Sequence, residues 1–104
     1  MGTMDYMAPE LVKGGEGTPL SDIYAFACVI FECLAGIPPF GHKSMIQVGR
    51  SHLEETPPDL SQTRDDVSPE LSWALLQGLA KEPGERPQTA IACASLISVA
   101  LKGS

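Results

Sequence analysis

Basic residues are scarce in this sequence. Seven Lys and Arg stand against 13 Asp and Glu, for a formal net charge of −6, and the cations are scattered singly. Such a chain has no general electrostatic grip on nucleic acid or on an anionic membrane surface, and neither partner is expected. Cysteine is equally thin. Cys28, Cys33 and Cys93 are odd in number and lack a C-x-x-C spacing. That pattern argues for thiols packed in a core in a reducing compartment, not for a disulfide frame or a zinc site. His42 and His52 add no ligand spacing, so no metal is expected. Aromatic side chains are few (Tyr6, Tyr24, Phe26, Phe31, Phe40, Trp73), which leaves the core to Leu, Ile, Val and Ala. No apolar run reaches the ~20 residues that cross a bilayer. The polar start lacks the basic-then-apolar order of a secretory leader. A cytoplasmic chain of one domain, or part of one, is the expectation at 104 residues.

What the sequence does hold is one dense apolar stretch, Ser21 to Gly36. Between Ile23 and Ala35 the only charge is Glu32, and apolar residues fall on every side of a helical repeat. A helix of that kind is buried. Ser21 suits its N-cap, Asp22 suits the positive end of its dipole, and Gly36 followed by Pro38-Pro39 stops it.

Shorter elements surround it. Pro9 opens a helical turn, PELVK, ended by Gly14-Gly15. Lys43 to Leu53 reads as a weak surface helix with Met45, Ile46, Gly49 and Leu53 on one face. Glu54 to Val67, with Pro57 and Pro58, is a loop. Ser68-Pro69-Glu70 is a strong helix entry, and Leu71, Leu75, Leu76 and Leu79 follow at helical spacing to an end near Lys81. A last helix, from about Gln88 to Leu101, sets Cys93, Leu96, Ile97, Ala100 and Leu101 on one stripe. No strand is expected. The class is all-α, a long buried central helix with three or four shorter helices around it.

The order of three strings goes further. GTMDYMAPE at Gly2–Glu10, SDIYAFACVIFECLAGIPPF at Ser21–Phe40 and LAKEPGERP at Leu79–Pro87 together resemble the C-terminal lobe of eukaryotic-type protein kinases. They are similar to the end of the activation segment with its A-P-E motif, the long helix after it, and the late K-x-P-x-x-R-P corner. The resemblance covers nearly the whole chain and implies a partial kinase domain over 1–104. Residues 1–20 would be the end of the activation segment and a linker, 21–36 the central helix, and 37–104 the C-terminal helical subdomain. The G-T-x-x-Y form looks like that of serine/threonine kinases. By resemblance, Gly2, Thr3, Tyr6, Met7, Ala8 and Pro9 would form the substrate-binding loop, and Thr3 would line the pocket for the residue after the phosphoacceptor. Glu10 would pair with Arg86; the bland alternative is two solvated charges. Asp22 would anchor the catalytic loop, or would serve only the helix dipole. Position 27, often Gly in the family, is Ala here, which implies crowding by one methyl.

Kinase chemistry also needs a glycine-rich phosphate loop, a strand lysine, the H-R-D aspartate and the D-F-G aspartate that holds Mg²⁺. None occurs in these residues. The resemblance implies ATP and Mg²⁺ for the intact family, but no cofactor, no metal and no catalytic residue in this chain, which alone is expected to be inactive. The implied partners are the protein substrate of the intact kinase and the remaining part of the domain, or another protein, covering the central helix. Without that cover, several of Tyr24, Phe26, Cys28, Ile30 and Phe31 are expected to be exposed. The alternative is a free-standing, non-catalytic helical interaction module derived from a kinase lobe.

Overall fold

The computed structural model describes residues 3–41 and 43–102. Gly2 and His42 lie outside the described residues, as does the side chain of Thr3. Among those described there is no strand, and the all-α expectation holds. Five α-helices follow in order: α1 (Pro9–Val12), α2 (Pro19–Ala35), α3 (Met45–Glu54), α4 (Pro69–Gly78) and α5 (Ala90–Lys102). Short 3-10 turns lie at Thr3–Tyr6, Leu60–Gln62 and Pro83–Glu85.

The central helix starts earlier than the sequence suggests. Its N-cap is Thr18, whose hydroxyl accepts from the N–H groups of Leu20 and Ser21, while the Ser21 hydroxyl accepts from the Thr18 N–H. Ser21 is therefore the third helical residue of a capping box. Pro19, with its preset φ and absent N–H, fits the first helical position and draws the start upstream. At the other end Gly36 takes φ +86°, the left-handed conformation that ends helices.

Helix α4 packs between α2 and α5. Tyr24, Cys28, Leu71, Leu75, Leu79 and Cys93 are fully buried there, joined by Ile23, Ala27, Phe31 and Ile97. The methyl of Ala27 is accommodated because position 78 is glycine. A Cβ on Gly78 would stand 2.8 Å from that of Ala27. The crowding expected from Ala27 is thus relieved on the facing helix.

Several details depart from the sequence reading. In α3 the buried residues are Val48, Gly49, Ser51 and His52, while Met45 and Ile46 are exposed. The helix packs on α1 and the Thr3–Tyr6 turn, where Gly49 lies against Met4 and Val12, and that contact selects the face. Helix α4 ends at Gly78, so Lys81 lies beyond it, donating to the Ser51 carbonyl of α3 at 3.1 Å. Leu101 of α5 is exposed, and Thr89 caps that helix through the Ala92 N–H. Of the five central-helix residues expected to lose cover, Tyr24, Cys28 and Phe31 are buried, Ile30 is half-buried and only Phe26 is exposed. Tyr24 is covered by His52 of α3 and by the Arg86 guanidinium. Cys33 is also exposed, unlike the other two thiols.

Candidate functional site

Residues 4–10 form a short irregular path over the central helix, held at both ends. Tyr6 donates its phenolic O–H to Glu32 of α2. That hydrogen bond, with partial burial, pushes the phenol up to about 12. Met7 closes the turn through its N–H to the Met4 carbonyl. Ala8 is fully buried and Pro9 is buried as the first residue of α1, so the chain enters that helix with little freedom.

Glu10 lies in the first turn of α1, and Arg86 lies just after the Pro83–Glu85 turn. The two meet in a bidentate pair, Nη1 to Oε2 and Nη2 to Oε1, each at 2.8 Å. The Arg86 side chain is wholly buried. Its other donors reach the carbonyls of Leu20 at 2.8 Å, Ala80 at 2.8 Å and Lys81 at 3.2 Å. All of its N–H donors are therefore used, which is the condition for holding a guanidinium in a core. Its plane also sits 5.0 Å from the Tyr24 ring. The hydrogen bond from Arg86 holds the Glu10 carboxyl below the usual range. One side chain thus ties α1, the start of α2 and the corner after α4.

Asp22 is exposed at the start of α2, on the rim of an apolar groove of about 410 Å³ lined by Ile23, Phe26, Ala90 and Cys93. Phe26, Val29 and Cys33 continue from it along the same side of the helix, all exposed. Their spacing of four, three and four residues makes one stripe.

The sequence reading left two contributors without a role. Glu32 was visible as the lone charge in an apolar run, and that was its signal. His52 carried none: it is fully buried, takes a 2.7 Å hydrogen bond with Tyr24 at Nδ1, and meets the rings of Tyr24 and Phe40 edge to face. Nearby, burial lowers the Lys81 ammonium to about 8, with its Nζ 4.9 Å over the Phe40 ring.

Chemically, this arrangement positions backbone. Among the described residues no three His, Cys, Asp or Glu side chains gather as a metal site. Among the same residues no helix is long and apolar enough to cross a membrane.

Residues 1–96 match the protein kinase domain family. The chain belongs to that family. It is 41% identical over 90 residues to serine/threonine-protein kinase PknB of Mycolicibacterium smegmatis and 45% identical over 87 residues to serine/threonine-protein kinase PknD of Mycobacterium tuberculosis. The matches cover 86% and 83% of this chain but only 14% and 13% of those proteins. PknB of Mycobacterium leprae is 39% identical over 90 residues. The family uses ATP and Mg²⁺, and its members act on protein substrates.

Proposed function

We propose that this chain is the C-terminal helical part of a serine/threonine protein kinase domain, supplying the substrate-binding loop and the scaffold that holds it. Gly2, Thr3, Tyr6, Met7, Ala8 and Pro9 form that loop, the stretch 1–20 being the end of the activation segment and its linker. The A-P-E string ends at Glu10. The segment 21–36 is the scaffold's axis and 37–104 its helical base. The observation that carries this reading is the double restraint on the loop, by Glu32 at Tyr6 and by Arg86 at Glu10. A loop that must present a peptide in one register gains from being held before the peptide arrives.

ATP and Mg²⁺ belong to residues outside this chain, because no phosphate loop, H-R-D or D-F-G string occurs in it. Alone it transfers no phosphate. The exposed stripe Asp22, Phe26, Val29 and Cys33 is the seat of the remaining part of the domain, and Asp22 is the anchor for its catalytic loop. An apolar stripe flanked by a groove has the character of a surface that is covered in use. The reading as a free-standing interaction module has no separate observation in its favour.

The test is a chimera in which this chain replaces the corresponding stretch of Mycobacterium tuberculosis PknD. Phosphoryl transfer to protein serine or threonine is expected, with a KM for ATP near that of the parent. A folded chimera that binds ATP and transfers nothing would overturn the assignment.

A further inference from the structure

His52 joins helix α3 to the central helix. Its imidazole is fully buried, with the Tyr24 hydroxyl 2.7 Å from Nδ1 and no hydrogen-bond partner at Nε2. The rings of Tyr24 and Phe40 stand edge to face with it, at centroid distances of 5.5 and 5.1 Å. Both of those rings already carry a cation. The Arg86 guanidinium lies 5.0 Å from the Tyr24 centroid. The Lys81 ammonium lies 4.9 Å from that of Phe40, and the Lys43 ammonium 5.6 Å.

Charging the imidazole would add a proton that nothing accepts. In either neutral tautomer one proton forms the Tyr24–His52 hydrogen bond, and one buried donor is left unmet. In the imidazolium both ring nitrogens donate, so Nδ1–H must give to the Tyr24 oxygen. The phenol's own proton then loses its acceptor, and Nε2–H has none. Two buried donors are left unmet, where each costs far more than in water. The new charge would also stand against rings that Arg86 and Lys81 already use. Of the carboxylates on the surrounding elements, Glu10 is paired with Arg86 and Glu55 with Lys43. Tyr24 and Cys28 of α2 stay uncharged, since burial pushes both upward. Burial, the largest influence, and Lys81 oppose the charged ring, while Asp5 and the Met4–Asp5 backbone favour it. The balance holds the imidazole below its ordinary 6.5.

We propose that His52 is an acid-release latch for α3: protonation of its ring frees that helix, and the Thr3–Tyr6 turn packed on it, while α2, α4 and α5 stay together. The selectivity has a structural cause. Among the described residues none of α3 belongs to the apolar cluster that α2, α4 and α5 share. Besides His52, polar bonds at Ser51 hold α3: Lys81 gives to its carbonyl at 3.1 Å and Lys43 to its hydroxyl at 3.0 Å. The contribution of the neutral ring is complete above pH 6.5 and is lost as pH falls below it. That of Glu10 lies lower, below 4.5. The release itself does not rest on the kinase reading; its effect on a substrate does.

The test compares amide exchange of the 104-residue chain at pH 7.5 and 5.5, corrected for the intrinsic effect of pH. Protection in residues 45–54 should fall roughly tenfold, the limit for one proton a pH unit below 6.5, and in α4 and α5 less than about twofold. His52→Asn keeps an acceptor near Nδ1 for Tyr24 and takes up no proton, so its α3 protection should be equal at both pH values. His42→Asn, which removes the other histidine, should behave as the unmutated chain. Unchanged α3 protection, an equal fall in all helices, or an acid dependence that survives in H52N would overturn the proposal. Should H52N fail to fold, a proton NMR titration of the His52 ring in the unmutated chain decides: a midpoint below 6.5 supports the latch, and one at or above it overturns it. An inactive PknD chimera with selective release would reject the kinase role alone. An active chimera without release would reject the latch alone.

Discussion

Replacing Glu10 with Gln tests the buried corner directly. The change keeps the side chain's size and removes its charge. It also turns an NH₂ toward a guanidinium that has no other carboxylate. The Arg86 side chain has no exposure, and Glu10 retains 22%. Breaking one partner of a buried pair costs ~3–5 kcal/mol, and the partial exposure of Glu10 places E10Q near ~3 kcal/mol. Three carbonyls, of Leu20, Ala80 and Lys81, still hold Arg86 in place, so the charge stays buried and uncompensated instead of swinging out. Urea unfolding followed by circular dichroism should show the midpoint falling with an unchanged slope. A cycle with Arg86→Met should return a coupling of ~2 kcal/mol or more. The pair also sets an acid limb. Because the folded Glu10 carboxyl is held below its unfolded value of 4.5, its contribution is complete above that pH and is lost as pH falls through the folded value. In E10Q that limb should flatten. A loss under ~1 kcal/mol, the worth of a surface pair, or a cycle without coupling would refute the argument.

Three further outcomes follow from the geometry. In an absorbance titration Tyr6 should ionise only near pH 12, and Glu32→Gln should bring it back toward 10, since Glu32 is the principal cause of the shift. Gly78→Ala should lower stability by ~1–3 kcal/mol in a thermal melt, because the new methyl meets Ala27 at 2.8 Å across two packed helices. Phe26→Glu with Val29→Glu should leave the isolated chain's stability within ~0.5 kcal/mol, as both residues are exposed, yet abolish transfer by the PknD chimera. Equal loss in both assays would mean that the stripe is core, not a seat.

Each element could be read locally where its signals are local. The entry Ser68-Pro69-Glu70, the stop at Gly36 and the PELV turn each depend on a cap, a ring or a left-handed glycine within a few residues, and the structure has all three. The face of α3 could not be read this way. Met45 and Ile46 look like the buried side by hydrophobicity, but Met4 of the Thr3–Tyr6 turn and Val12 of α1 lie on Gly49 instead. The start of α2 is ambiguous for a related reason: two hydroxyl residues three positions apart, Thr18 and Ser21, both suit a cap, and the proline between them decides.

Taken alone, the order of residues determined that this is an all-helical member of the kinase family lacking phosphate-loop and metal-binding strings. Helical periodicity, caps and short ordered motifs are written along the chain, where neighbours carry them. Tertiary structure alone decided that Arg86 spends every donor in the core, that Gly78 makes room for Ala27, and that His52 of α3 is buried against Tyr24 of the central helix. Those contacts join residues up to 76 positions apart, and only packing brings such partners within reach of one another.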